Sequence, residues 1–561
     1  MPQPYTVVLW STSTRRTISS SWPAGRVEVA VNGRRCAGAW HTTTAGTRAH
    51  ASLIVPGMQL HRSLLAIALT GYVLLCVGTA LTRQPYTDEG ELASPAYTLV
   101  HRGYMTVTQW EEHRTSHKAY WMPPVFFLAE GAWQSLVGFG VVQFRLASVV
   151  SGLLVLVGTY SIVSRLTGES TLALLVLSLL GLDYTFLQHA GVGRCEVMSL
   201  AFGIGATAAY MKLREQSLSL ALVSSHALMA LSALTHPVGA LLWMPALLAV
   251  QGHLDLNRYN LQSMMQMAAP YVVGLVAWGL YIVRNPAEFV SQFQVSVGMG
   301  RMSGFGNPFV AVKRELTERF LAYYGVRPTA TALVRAKMIL PLGYALGLTG
   351  AVLIPSARRC IFLRLAMILF CVQFGILAIV EGTKQFHYIV HVIPTLDMIL
   401  GAGVWLAWRE RPFARRLLVA GIATLFVLQI GPTLFRIRED RYRQDFLPIV
   451  DYIRPSVERG EVLISQAEFA IPFGFPDNLV TDPGYGWRRV DRPRLVVVDE
   501  AEMEKNAAGA REARPNLYRY LTREFPVEYR PVFTRGQYTV YERRDQDSMI
   551  RGSVGMILVC K

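Results

Sequence analysis

The chain is short of charge. Asp, Glu, Lys and Arg make up 16% of its 561 residues, against about 25% in an average soluble protein. That shortage argues against an ordinary water-soluble domain. Acid is scarcer than base: 38 Asp and Glu stand against 54 Lys and Arg, a formal net charge of +16. A nucleic-acid binder would gather this excess on one face of a soluble domain. Here many of the basic residues sit in short loops between apolar runs, so no nucleic-acid partner is expected. Cysteine is scarce too. Cys36, Cys76, Cys195, Cys360, Cys371 and Cys560 form no CxxC pair, so neither a zinc knuckle nor a thiol redox motif is supported. No tandem repeat points to a solenoid, and no cleavable signal peptide is visible.

What is abundant is apolar sequence, 52% of the chain, with a mean hydropathy of +0.30. The runs 63–81, 144–163 and 417–434 are each long enough to cross a hydrocarbon core of about 30 Å. The predicted fold is a polytopic α-helical membrane protein with about eleven transmembrane helices. They fall near 62–82, 144–164, 171–188, 197–213, 218–235, 237–251, 266–283, 336–354, 361–380, 388–408 and 415–434.

Charge orients these spans. Arg165, Lys212 and Arg214 follow the second and fourth spans, and Arg358, Arg359, Arg364, Arg409, Arg411, Arg415 and Arg416 lie in later loops. The positive-inside rule puts all of them on one side if the apolar run 125–137 does not cross. That run is therefore read as a short interfacial or re-entrant helix. The loop 83–143, the turns at 191–196, 235–237 and 381–387, the loop 284–335 and the segment from about 436 then share the external side.

Four divisions follow. Residues 1–57, rich in Ser, Thr, Ala and Arg, read as a disordered or misassigned extension ahead of Met58. Residues 58–435 form the transmembrane domain. Residues 436–547 balance acid and base and alternate short apolar runs with helical stretches, which predicts a small external α/β domain. The mildly apolar tail 548–561 carries no readable signal.

Three clusters on the external side could carry chemistry. The first loop opens with Asp88, Glu89 and Glu91 just past a span. A carboxylate at a low-dielectric boundary suits a general base, and neighbouring carboxylates can hold a divalent cation. The loop continues with His101, His113, His117, Lys118, Tyr120 and Trp121. His113 and His117 have helical spacing, yet no HExxH motif frames them as zinc ligands. Lys118 suits an anionic group or a snorkelling position. The second cluster is Arg194, Cys195 and Glu196. Arg194 either pairs locally with Glu196 or grips a phosphate bidentately. The third is Glu381, Lys384, His387, Tyr388 and His391, with the two histidines four apart on one expected helix face.

The order of these features resembles a family. An Asp-Glu-Gly follows the first span at 88–90. A Pro-Pro run then leads into apolar and aromatic residues at 123–127, with Phe139-Gly140 and Arg145 at the second span. The Arg-x-acid turn at 194–196 and a Lys-x-x-His-Tyr at 384–388 complete the order. Together they resemble the GT-C superfamily of membrane glycosyltransferases, most of all the protein O-mannosyltransferases and the lipid A aminoarabinose transferases. The resemblance covers 62–435 and the C-terminal domain.

It implies an inverting transfer of a hexosyl or pentosyl group from a polyprenyl phosphate sugar. The acceptor is a lipid, glycan or protein hydroxyl, and the site is the periplasmic face of a bacterial inner membrane. On this reading Asp88 is the base and Glu89 the second acid. Lys118, Arg194, Lys384 and His387 lie near the donor phosphate, and Tyr120, Glu196 and Tyr388 contact substrate. Met122 stands where the aminoarabinose transferases carry a lysine before Pro-Pro, and Lys118 is the candidate replacement. The rival reading is a secondary transporter. Transporters, however, place ionisable residues at the bilayer midplane in repeated halves, and these clusters lie at span ends.

Overall fold

The computed structural model describes residues 56–109, 118–298, 303–326 and 339–544, together with 30–31 and 34–35. The chain divides after Pro56 into two units. In the upstream unit, Ala30–Val31 pairs antiparallel with Arg34–Arg35. Otherwise the expectations for 1–57, for the tail 548–561, and for His113 and His117 lie outside the described residues.

The second unit is a helical membrane bundle with an α/β domain built onto one end. Helices stand at each of the eleven expected positions: Pro56–Thr82, Val141–Thr167, Ser170–Leu182 continued by Tyr184–Ala190, Cys195–Leu213, Leu218–Thr235, Pro237–Asp255, Leu261–Ile282, Ile339–Leu353, Ile361–Val380, Ile393–Glu410 and Arg415–Glu439. Among the described residues, seven helices are long and apolar enough to cross a membrane, or eight if the bent pair is one span. That is fewer than the expected eleven. Ile339–Leu353 has only 15 residues. Cys195–Leu213 and Ile393–Glu410 are long enough, but their apolar character is diluted by groups such as Glu196, Lys212, Asp397, Arg409 and Glu410.

The bent pair turns by 63° at Asp183, whose carboxylate caps the second helix by accepting from the Phe186 amide at 2.8 Å. Tyr72, Leu177, Phe186, Leu200 and Trp243 lie in the buried centre of the bundle.

Val125–Val137 is a helix of 13 residues, about 20 Å long. That is too short to cross a bilayer, as its sequence predicted.

The acidic pair does not sit in an irregular loop. It forms the first turn of a helix, Thr87–Arg102, that ends on Gly103 in the left-handed region (φ 75°). Carboxylates in a first turn are favoured by the helix dipole. Adjacent helical residues also point about 100° apart, so Asp88 and Glu89 face different surroundings.

The C-terminal domain holds a five-stranded sheet in the order Leu479–Val480, Leu463–Ile464, Leu495–Asp499, Tyr538–Arg543, Tyr529–Arg535. The first three strands run parallel and the last two join antiparallel, with Val497 opposite Val540. Alternation along the central strand sends side chains to two cores. Val497 joins Phe126, Phe144, Ile449 and Phe469, while Val496 and Val498 pack with Tyr520 and Phe525. The sheet therefore shares its core with the segment that follows the first span. Contact is closest at Gly90, where any Cβ would collide with the backbone of Ala467 and Glu468.

Candidate active site

The site forms where the helix Thr87–Arg102, the 191–196 turn and the 381–391 segment meet. Asp88 reaches out of its helix, with 44% of its side chain exposed. Its Oδ2 accepts a short hydrogen bond from Arg194 Nη1. Arg194 occupies the extended N-cap position of helix Cys195–Leu213 and is itself buried. The rest of its guanidinium forks onto Glu196, Nε to Oε2 at 2.9 Å and Nη2 to Oε1 at 2.5 Å. Nη1 also donates to the Tyr86 hydroxyl at 2.9 Å. The local Arg194–Glu196 pair and a role beyond it thus coexist, because the planar guanidinium has donors enough for two carboxylates and a phenol.

His387 Nε2 lies 3.8 Å from Asp88 Oδ2, and its ring stacks against Tyr86 at 6.3 Å. Burial, and then the Arg194 cation, hold His387 well below the usual histidine range. It is neutral at pH 7, so its contact with Asp88 is not an ion pair.

Glu89 faces the other way. It is fully buried and takes a two-pronged ion pair from Arg145, Nε to Oε1 and Nη2 to Oε2, each 2.7 Å. Oε1 also accepts from the Gly193 amide at 2.9 Å. Arg145 Nη1 donates to the carbonyls of Ala80 (2.9 Å) and Arg83 (2.6 Å). One buried pair thereby ties the end of the first span, the helix Thr87–Arg102, the second span and the turn that carries Arg194. Gly193 permits this, since a Cβ there would run into the Phe144 ring.

Lys384 is not at the open part of the site. It is buried, in the left-handed region (φ 57°). Its ammonium donates to the carbonyls of Ala378 (2.7 Å) and Glu381 (2.9 Å) and pairs with Glu315 at 3.2 Å. Glu315 also pairs with Arg319 at 3.1 Å, and Arg319 pairs with Glu381 and lies 5.7 Å over the Tyr388 ring. This network sits under the turn leading to His387. Tyr388 packs on His236 at 5.3 Å.

Lys118 and Tyr120 stand apart, joined to the segment at 286–298. Gln292 donates to the Lys118 carbonyl at 2.9 Å and accepts from the Tyr120 amide at 2.7 Å, and the Tyr120 ring packs at a tilt on Tyr281, centroids 4.8 Å apart. Among the described residues, the Lys118 side chain makes no hydrogen bond or ion pair with the Asp88 cluster.

His387 and His391 do not share a face. Their segment, Phe386–His391, is a 3-10 helix, where i and i+3 align instead. His391 turns into the bundle and is fully buried.

Two cations escaped the sequence reading. Arg83 and Arg436 converge on Gln188: Arg83 Nη1 donates to its carbonyl at 3.0 Å, and Arg436 Nη1 to its Oε1 at 2.6 Å. Among the described residues neither has a carboxylate partner. Burial, and then the neighbouring Arg436, lower the Arg83 pKa, with Tyr86 and Glu89 opposing in part. Arg83 and Arg194 both lie 5.8 Å over the Tyr86 ring. The only sequence signal was position, since both arginines end apolar helices on the same side.

Cys195, Glu196 and His236 bring ligand atoms within 4.8 Å of one another, a donor set of zinc type. They do not fit a dication well. Arg194 already holds both Glu196 oxygens, and a metal there would lie beside a buried guanidinium.

The C-terminal domain reaches the edge of the site. Tyr538 donates to Glu468 Oε1 at 3.0 Å, and Gln84 Nε2 donates to the Tyr538 hydroxyl at 3.0 Å. Burial pushes the Glu468 carboxyl up to about 8.

No family profile and no curated protein matches the chain. Solved structures do. ArnT from Cupriavidus metallidurans bound to undecaprenyl phosphate superposes with a TM-score of 0.52 at 16% identity, over 86% of this chain and 98% of that one. The apo form gives 0.51 at 17% identity with the same coverage. A looser match, TM-score 0.45 at 10% identity over 82% of this chain and 72% of that one, is to the archaeal oligosaccharyltransferase AglB from Archaeoglobus fulgidus. The likeness to ArnT extends through the bundle and the C-terminal domain together, and it establishes the fold: a polytopic helical bundle with an α/β domain on one end, as in ArnT.

Proposed function

We propose that the chain is an inverting glycosyltransferase. It moves a sugar from a polyprenyl phosphate carrier to an acceptor hydroxyl at the external face of a bacterial inner membrane. The observation that carries the reading is the pairing of one half-exposed carboxylate, Asp88, with the Arg194 guanidinium on one side and solvent on the other. Its neighbour Glu89 is sealed into a structural ion pair. A single available carboxylate suits an inverting displacement, because a retaining one needs a second carboxylate close to the sugar.

In the proposed reaction Asp88 takes the acceptor hydroxyl proton as the oxygen attacks the anomeric carbon. The bond from that carbon to the phosphate oxygen breaks, and polyprenyl phosphate leaves with the electron pair. Arg83 and Arg436, which make no ion pair with a carboxylate among the described residues, hold the leaving phosphate. Arg194 orients Asp88 and adds positive potential, and neutral His387 offers a hydrogen bond between base and phosphate. Fixed donors aimed at developing charge are the largest lever such a site has. Lys384 acts through the turn that presents His387, Glu196 through Arg194, and Tyr388 by packing under that turn. Lys118, held through its carbonyl by Gln292, is the candidate to meet an anionic part of a substrate, and buried Tyr120 supports that segment.

That ArnT, which shares the fold, was solved with undecaprenyl phosphate bound supports the choice of donor. The reaction as drawn needs no metal. The test is an assay of the purified chain in proteoliposomes with a polyprenyl phosphate sugar. Release of polyprenyl phosphate with acceptor glycosylation supports the reading. Solute uptake without sugar transfer would replace it with a transporter.

A further inference from the structure

The helix Cys195–Leu213 begins at the candidate site and ends, about 29 Å away, at a second site of different character. Between the helices Val141–Thr167, Cys195–Leu213, Pro237–Asp255 and Ile361–Val380 lies an apolar cleft walled by Trp243, Ala246, Val250, Ala366 and Leu369. It opens to the outside of the bundle at Ile368, which is 59% exposed. A more polar cavity adjoins it, lined by Arg165, Arg214, Glu215 and His253. Leu166, Phe362 and Leu365 line both.

The mouth is basic on balance. Arg214 and Arg258 share one acid, Asp255, at 2.6 and 2.8 Å. Among the described residues Arg165 makes no ion pair. Glu215 lies 3.5 Å from Arg214 and is 79% exposed, so it offsets little of the charge. Inside the apolar cleft one group is out of place. Thr207 is 1% exposed and lines the cleft, yet its hydroxyl has no hydrogen-bond partner. A helical threonine ordinarily donates to the carbonyl one turn back. Thr207 precedes Arg214 by seven residues, about 10 Å along the helix.

An apolar slot, a buried free hydroxyl and a cationic mouth, in that order, match the parts of one class of molecule. We propose that this double cleft binds a single anionic glycerophospholipid at the membrane face opposite the candidate active site. Its phosphate sits at Arg165 and Arg214, an ester carbonyl accepts from Thr207, and one acyl chain fills the slot. Basic pockets between membrane helices select anionic head groups in this way. A polyprenyl phosphate has no ester carbonyl for Thr207, so the site is distinct from the donor's, and the inference does not rest on the reaction assigned above.

Native mass spectrometry of the full chain in detergent, titrated with dioleoylphosphatidylglycerol, tests this. One tightly held lipid is expected. Arg165→Glu and Thr207→Val should each weaken its retention, the former by about tenfold. Ala249→Phe, at the exposed rim of the slot, should exclude the lipid while the chain stays folded. Equal retention of dioleoylphosphatidylcholine, displacement by undecaprenyl phosphate, or unchanged retention in all three variants would overturn the proposal.

Discussion

Glu89 and Arg145 are both fully buried and meet through two parallel contacts of 2.7 Å. One residue earlier, Asp88 stands half open to solvent on Arg194. Two adjacent acids therefore have opposite surroundings, one sealed in a buried ion pair and one open to solvent.

Breaking the architectural pair should cost stability. Glu89→Gln leaves Arg145 as a buried cation facing a neutral amide. Removing one partner of a buried ion pair typically costs about 3–5 kcal/mol. The expected result is a large fall in thermal midpoint and in folded yield from membranes. A variant as stable as the parent would show that Glu89 does not hold the site together.

The donor phosphate is assigned to Arg83 and Arg436. Each contact from a guanidinium to an anion is worth about 1.5–3 kcal/mol. Arg83→Ala and Arg436→Ala should each raise KM for the polyprenyl phosphate sugar by about 10- to 100-fold and leave KM for the acceptor near its parent value. Arg194→Ala should also weaken donor binding more than acceptor binding. Steady-state kinetics with each substrate varied in turn separates these effects, and equal changes in both KM values would remove the phosphate role.

Much of the fold was legible before any coordinates. A bilayer demands runs of about twenty apolar residues, and such runs need no tertiary context to be seen. The count of spans was less legible. Cys195–Leu213 and Ile393–Glu410 lie inside the bundle and carry polar groups, so they score poorly as isolated spans. In the site, Asp88, Arg194 and His387 were readable because each sits at a span end on a common side. Their partners were not. Nothing local in the sequence ties Lys384 to Glu315, or Glu89 to Arg145, which is 56 positions away. The expected shared face of His387 and His391 failed for a different reason: the segment winds as a 3-10 helix, and a change from 3.6 to 3.0 residues per turn redirects every side chain after the first turn.

A pH effect should follow from Glu468. Burial raises its carboxyl to about 8, above its unfolded value, so the folded chain binds the extra proton. Stability linked to this group is full below the unfolded pKa and is lost as pH rises through about 8, at a slope of at most about 1.4 kcal/mol per pH unit. Glu468→Gln, which keeps a neutral hydrogen-bonding group, should therefore be more thermostable than the parent at pH 9. Near pH 5 the two should be about equal. Thermal midpoints of the two proteins across this range provide the check. A pH-independent difference would mean that Glu468 is not protonated in the folded chain.

Asp88 carries the central claim, and Asp88→Asn tests it most directly. The substitution keeps size and a hydrogen-bond acceptor for Arg194 but removes the base. Sugar transfer from a polyprenyl phosphate donor should fall by about 10²- to 10⁴-fold, with the thermal midpoint and donor binding close to those of the parent. Turnover of the folded variant within a few-fold of the parent would contradict the assignment of Asp88 as the base.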